Sequence, residues 1–309
     1  MATTSITPAA DTTSRGAGWR RRHELLGLVY AIPTIAFVAV FFLTPLVLVA
    51  RMSLSSWPLL TGYRGLNFPK NFVGILDSQL FWPAVAFTIE YTVLVTILLI
   101  GFGLGMALLV QEAGRWVGAL RTIFLLPVAV GLASASLLFW GFYSPSIGPI
   151  SPILEAVGII HQPISFLATP TSALLSTTFL IVWKFAGLYM LILLVGMQAI
   201  PDDVYEASAL DGASRGQTFR YITLPLLRPS LALALILCVT GSLLAFDQFY
   251  ILTKGGPDNA TVTVVQLIYR EAFQRQNLGA SAAVSVVVLF ALLALNAVQF
   301  RLLRDPGRS

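Results

Sequence analysis

The fold class that this sequence predicts is an all-α integral membrane protein with six transmembrane helices, and three observations carry that prediction. First, 57% of the 309 residues are hydrophobic and only 11% are charged, less than half of the roughly 25% charged residues usual in soluble domains. Second, apolar runs of 18 residues or more recur along the chain, and at about 1.5 Å per helical residue each can cross about 30 Å of hydrocarbon. Third, the runs are apolar all round rather than alternating with period two, which excludes a β-barrel. The formal net charge of +5 is read as the basic residues that orient loops against membrane lipid, not as a nucleic-acid interface. Cys238, the lone cysteine, lies inside an apolar run, so the chain forms no internal disulfide and the thiol is expected to be buried and inert.

Residues 1–18 are rich in Thr, Ser and Ala without periodicity, and residues 1–23 are expected to be a disordered tail. The membrane domain then occupies residues 24–309. Trp19-Arg20-Arg21-Arg22-His23 has the look of an export-signal head, but the apolar run at 25–50 is too long for a signal and lacks a small-residue cleavage site, so it is read as the first span. Further spans are expected at 84–110, 119–142, 172–197, 230–252 and 279–303. Six spans put both termini on one side. Arg15, Arg20, Arg21, Arg22, Arg115, Arg121, Arg215, Arg220, Arg228, Arg301, Arg304 and Arg308 fall on that side, twelve against the six of Arg51, Arg64, Lys70, Lys254, Arg270 and Arg275, which places both termini in the cytoplasm.

Among the outer segments, 143–171 has no Lys or Arg and contains Pro145, Pro149, Pro152, Pro163 and Pro170, a pattern for a rigid, turn-rich cap. Segment 52–83 carries Trp57, Phe72, Phe81 and Trp82, rings suited to the headgroup interface. At 263–274, Val264, Val265, Leu267, Ile268 and Phe273 suit one side of a surface helix resting on the membrane or on another protein.

One stretch, residues 198–229, is a charged island between two long apolar runs. Asp203 is placed to cap a short helix with Glu206 reaching back to the cap amide, and Gly212 to supply the left-handed residue that ends it. Ser214 and Gln217 repeat the capping pattern for a second helix, which is expected to stop before Pro225.

The remaining motifs argue mostly by exclusion. Gly101-Phe102-Gly103-Leu104-Gly105 is as dense in glycine as a phosphate loop, but no strand precedes it. Close helix packing through Gly101 and Gly105, four apart, is the better reading. No Gly-Lys-Ser/Thr occurs, so the chain has no ATPase site of its own. His23 and His161 are far apart and no His/Cys/Asp cluster has metal spacing, which leaves no metal site and no hydrolase arrangement. Within the spans, Glu90, Lys184 and Asp247 stand out because a charge in hydrocarbon must face a partner or a cavity. Two readings stay open: buried ion pairs or helix-to-helix hydrogen bonds, and the wall of a polar translocation path shared with Tyr91, Trp183, Gln248 and Asn296. Aromatic rings beside polar groups suit a sugar.

Glu206-Ala207-Ser208-Ala209-Leu210-Asp211-Gly212-Ala213, continuing through Phe219, Ile222, Leu224, Pro225 and Pro229, closely resembles the EAA signature of the membrane subunits of binding-protein-dependent ABC importers. Phe246-Asp247-Gln248-Phe249-Tyr250-Ile251-Leu252-Thr253-Lys254-Gly255-Gly256-Pro257, with Ile268-Tyr269 and Ala272-Phe273, resembles the first of the two permeases of carbohydrate-type importers, the maltose and glycerol-phosphate group; Asn71-Phe72-Val73-Gly74 is a weaker match. Ser208 departs from the signature's preferred alanine, and its small side chain is expected to pack as well.

The resemblance implies the type I ABC importer permease architecture in a bacterial plasma (inner) membrane. It implies a second homologous permease, two nucleotide-binding ATPase subunits holding ATP and Mg, and an extracytoplasmic solute-binding protein. No cofactor is expected on this chain. Asp203, Tyr205, Glu206, Ala207, Ala209, Leu210, Asp211 and Gly212 become the coupling helix seated on the ATPase. A non-carbohydrate solute is the alternative within the class. A proton-coupled secondary transporter, with Glu90, Lys184 and Asp247 as its relay, is the alternative outside it.

Overall fold

The computed structural model describes residues 30–112, 114–162 and 164–303. The expectations for the tail at 1–23, for the start of the first span, and for Pro163, Arg304 and Arg308 lie outside the described residues.

In hydrocarbon only a helix satisfies all its own backbone polar groups, and the apolar runs fold accordingly. Contacts divide the chain into Met1–Arg51 and Met52–Ser309. The described part of the first unit is helical: α1, Tyr30–Ser53, starts in it and is long and apolar enough to cross a membrane. A wide turn at Ala39–Leu43 interrupts its ladder, and the Thr44 hydroxyl donates to the Ala39 carbonyl at 2.9 Å.

The second unit holds α2 (Lys70–Leu76), α3 (Phe81–Leu109), α4 (Val117–Ala129), α5 (Leu132–Phe142), α6 (Ile150–Ala156) and α7 (Pro170–Gln198). After them come α8 (Asp202–Leu210), α9 (Arg215–Thr218), α10 (Arg228–Leu243), α11 (Asp247–Leu252), α12 (Val264–Tyr269) and α13 (Leu278–Leu303). Two isolated bridges, Ser55 with Leu66 and Pro58 with Asn277, are the β-type pairings among the described residues.

The long pair α3 and α7 is the axis of this unit, with α10 packed on both and α4 along α7. Tyr91, Val95, Leu180, Met190, Leu193, Leu194 and Phe249 fill the space between them and are fully buried. The start of α7 is closed by a capping box: the Ser172 amide donates to Thr169 Oγ1 at 3.1 Å, the Thr169 amide donates to Ser172 Oγ at 3.1 Å, and Pro170 sits where no amide is needed. A second apolar cluster, including Ile75, Phe81, Val262, Leu267 and Val284, joins α2 and α12 to α13.

Three expectations change here. The span expected at 119–142 is two half-helices, α4 and α5, meeting at 92°. Pro127 removes an amide from the last turn of α4, and Val130 (φ −74°, ψ 132°) and Gly131 (φ −58°, ψ 143°) leave the helical region. Within this chain close packing does not run through Gly101 and Gly105, around which a Cβ would meet nothing within 4 Å; it runs through Gly103, whose Cβ would lie 2.9 Å from Tyr189 Cβ. Gly187 likewise brings α7 against the Phe124 backbone of α4. At 263–274 much of the apolar face is turned into this chain: Val264 and Leu267 are buried against its own α3 and α13, and the Val264 amide donates to Thr88 Oγ1 at 3.0 Å. Only Phe273, beyond α12, stays exposed.

Gly187→Leu should therefore force α4 off α7 and cost on the order of 1–3 kcal/mol, read as a fall of several degrees in the melting temperature of the detergent-solubilised protein. Gly105→Ala should leave it unchanged.

Candidate functional site

The charged island forms a compact helical turn-around at one end of the unit. α7 ends at Gln198, and Pro201, in an extended conformation (φ −61°, ψ 140°), starts α8 without any side-chain cap hydrogen bond. The capping pair expected at Asp203 and Glu206 is thus absent. Proline takes the cap position, and Asp202 and Asp203 fall in the first turn instead, where their charge faces the positive end of the helix dipole.

At its other end α8 closes as expected. Gly212 has φ +74°, its amide donates to the Ala209 carbonyl at 3.1 Å, and the Ala213 amide donates to the Ser208 carbonyl at 3.0 Å. That pair of bonds is the Schellman arrangement, and it needs the left-handed residue that glycine supplies at no steric cost. Two residues later Ser214 and Gln217 form the expected capping box, with the Ser214 amide donating to Gln217 Oε1 at 2.8 Å. The following helix does not stop before Pro225. A wide turn at Phe219–Thr223 opens the ladder ahead of the proline, relieving both the ring clash and the missing amide, and the backbone stays helical through Leu224–Leu226.

Of the coupling residues, Asp203, Glu206, Ala207, Ala209, Asp211 and Gly212 are exposed and Leu210 is 90% exposed. Tyr205 is half-buried and lies between two clefts of about 580 and 470 Å³, both lined by Gln111 and Glu112 of the loop after α3. Thr223 Oγ1 donates to its hydroxyl at 3.4 Å. Ser208, the departure from the importer signature, is buried, donates to the Tyr205 carbonyl at 2.8 Å and lies 3.4 Å from Thr218 Oγ1 of α9. An alanine there would pack, but it would not make these bonds.

Within the spans the seven polar candidates separate. Tyr91, Asp247 and Gln248 line one cavity of about 370 Å³, together with Leu132, Phe185, Tyr189 and Cys238. Gln248 Nε2 donates to Tyr91 Oη at 3.0 Å, and Gln248 Oε1 is buried with no partner among the described residues. Just behind the wall, an unused acceptor thus sits beside a hydroxyl whose proton is free to be donated. Glu90 and Trp183 are exposed on the outside of the unit, Trp183 against Phe139 at 5.1 Å between ring centroids. Asn296 ties α13 to α10, accepting from Thr240 Oγ1 at 3.3 Å.

Lys184 is 3% exposed and forms neither an ion pair nor part of the cavity wall. Its Nζ donates to the carbonyls of Pro127 at 3.4 Å and Val128 at 3.3 Å, and to that of Val130, all at the break between α4 and α5. Inserting a lysine at mid-membrane costs about 2.5–3.5 kcal/mol, whereas hydrogen bonds involving a charged donor return roughly 1.5–3 kcal/mol each. Three such bonds cover the cost. The helix-to-helix alternative therefore holds for Lys184, and no ion pair joins Glu90, Lys184 and Asp247 among the described residues.

Cys238 and Leu132 belong to the cavity but lie in uniformly apolar runs, and no sequence signal marks them. Beyond the cavity, the loop at 253–262 is drawn together by Arg270, which donates to Asn259 Oδ1 at 2.6 Å and to the Lys254 carbonyl at 2.9 Å. Burial, with the neighbouring Arg275 charge, holds its guanidinium below the usual arginine range. Gly255 (φ +87°) leaves no room for a Cβ beside Val262.

Residues 99–305 match the family model described as binding-protein-dependent transport system inner membrane component. The trehalose/maltose transport system permease protein MalF of Thermococcus litoralis is 33% identical over 283 residues, 91% of this chain and 94% of that protein. The sn-glycerol-3-phosphate transport system permease protein UgpA of Agrobacterium fabrum is 32% identical over 286 residues, 90% of this chain and 94% of that one. Among solved structures, a chain of a bacterial ABC transporter that imports the acidic polysaccharide alginate superposes with a TM-score of 0.81 at 22% identity, covering 94% of this chain and 99% of that chain.

Replacing the α9 cap, Ser214→Ala, should cost about 1 kcal/mol of local stability. Amide hydrogen exchange of residues 215–218 should rise several-fold, with α7 unaffected.

Proposed function

The chain belongs to the family of inner membrane components of binding-protein-dependent transport systems, and from that premise we propose that it carries a sugar or a sugar-like solute, such as a glycerol phosphodiester, through an ATP-driven importer. It is a transport subunit and not an enzyme. In this reading ATP and Mg are held by two separate nucleotide-binding subunits, a second homologous permease completes the path, and a solute-binding protein delivers from outside. Both termini lie in the cytoplasm, which places α8 on the same side as the ATPases.

The observation that carries the reading is α8 itself: a short helix closed at its end by Gly212, with Glu206 and Leu210 turned to solvent and Leu210 almost fully exposed. A large apolar side chain rimmed by Glu206 and Asp211 is the kind of anchor that fills a pocket on a partner. Because the helix is short, follows Pro201 directly and is closed at its far end by Gly212, it transmits a displacement that a loose loop would absorb. The solute side rests on the Tyr91–Gln248 wall. An open acceptor next to a hydroxyl donor suits vicinal hydroxyl groups, and the rings of Phe185, Tyr189 and Phe246 in the same cavity suit their C–H faces.

Reconstitution with the partner subunits in sealed vesicles tests the assignment. Uptake should require internal ATP and the ATPase subunits; uptake driven by a proton gradient without them would overturn it. Glu206→Lys and Gly212→Val should each reduce uptake at least tenfold and weaken ATPase co-purification while the chain still inserts, the second because valine strains a left-handed residue. Gln248→Leu should leave the ATPase bound and raise the solute concentration for half-maximal uptake about tenfold.

A further inference from the structure

The half-helix α5 is attached to α7 at two points. At its beginning, Lys184 Nζ donates to the carbonyls of Pro127 and Val128, in the last turn of α4, and of Val130, just past it. Just beyond its end, the Tyr143 hydroxyl donates to the Ser176 carbonyl at 2.8 Å. Ser176 and Lys184 are eight residues apart on α7, so one rigid helix carries both fixings, about 12 Å apart at 1.5 Å per residue. Between them α5 touches α7 and packs against α11, the helix that carries Asp247 and Gln248. The first residue of α5, Leu132, is itself part of the cavity wall. On α7, Ile181 and Leu188 also line the cavity, three residues before Lys184 and four after it, on the same helical face.

Without a donor at 184, three carbonyls at the negative end of α4 face a low-dielectric interior. The turn then has no fixed position relative to α7. We propose that Lys184 is a positioning residue: by tying the break between α4 and α5 to α7, it sets where Leu132 and, through α11, Gln248 stand in the cavity wall. The functional half of this assignment rests on the cavity being the solute path, while the structural half is independent of it.

The full-length chain in lipid nanodiscs tests the proposal without any solute. Amide exchange is followed over residues 130–136 and over control peptides in α3 and α7. Cys238, the single cysteine, lines the same cavity at 1% exposure and reports through its rate of labelling by N-ethylmaleimide. Lys184→Met should speed exchange at 130–136 at least tenfold and raise Cys238 labelling, with the control peptides unchanged. Lys184→Arg, which keeps charge and donors, should restore both. If the methionine variant does not insert, Lys184→Gln, which keeps amide donors on a shorter arm, gives the same readouts with a smaller change. Unchanged exchange at 130–136 and unchanged labelling in an inserted variant would overturn the proposal. So would an equal rise across α3 and α7 with a fall in melting temperature, which is the mark of a general packing role. The solute-path reading is judged separately, by uptake in Gln248→Leu.

Discussion

A stranded carbonyl finds no partner in hydrocarbon, and each one left buried costs about 1–3 kcal/mol. The architecture of the second unit follows from how the chain meets that constraint at residues 127–131. An unbroken span there would have given this unit a fifth long helix. Pro127 and Gly131 allow the chain to leave the helix, and Lys184 supplies donors for the carbonyls this exposes. With the break stabilised, α5 runs at 92° to α4 and lies against α11. The space left beside it is the cavity that Tyr91 and Gln248 line. A buried lysine and a broken helix, each unfavourable alone, are mutually satisfied.

The island between α7 and α10 meets the same constraint by local means. Here the backbone groups at the helix ends are closed by residues within a few positions: Gly212 for α8, Ser214 and Gln217 for α9. Because both devices sit in the short link between the two helices, the angle of that link is defined. Ser208 adds contacts from the inner face of α8 to Tyr205 and Thr218. The outer face therefore remains free to be shaped by a partner, with a hydrophobic residue at its tip and acidic groups at its rim.

What the sequence disclosed and what it concealed divide along the range of the forces involved. Five of the six spans were legible because their signal is the sum of some twenty apolar residues. Gly212 and Ser214 were legible because a turn and a cap depend on one or two residues. The Asp203 cap does not form because Pro201 starts the helix two residues earlier, and the sequence pattern does not separate starts so close together. The stop before Pro225 was misread because a wide turn, which leaves no pattern in sequence, accommodates the ring. Least legible were contacts between helices. That Gly103 rather than Gly101 faces Tyr189, and that Lys184 answers carbonyls 54 to 57 positions away, depends on helix rotation and packing. Nothing in an apolar run specifies either.

These long-range contacts also connect the two candidate regions. Lys184 and the end of α7 at Gln198 belong to one uninterrupted helix, separated by fourteen residues or about 21 Å. Only Ala199, Ile200 and Pro201 intervene before α8, and the amides of Ala199 and Ile200 are bonded back to Val195 and Met197 at 3.1 Å. The joint is therefore stiff, with a proline fixing its last dihedral. A displacement of α8 has little loop in which to dissipate and passes into α7. There it meets helices packed too closely to slide independently: α10 against Gly196 through Ser230 and Leu227, α4 against Gly187, and α3 through Gly103. Shifting α7 shifts the points that hold α5, and with them the cavity wall. In the proposed importer, the stiffness that would let the island act on the cavity is the same close packing that stabilises the unit, and loosening that packing should uncouple the two.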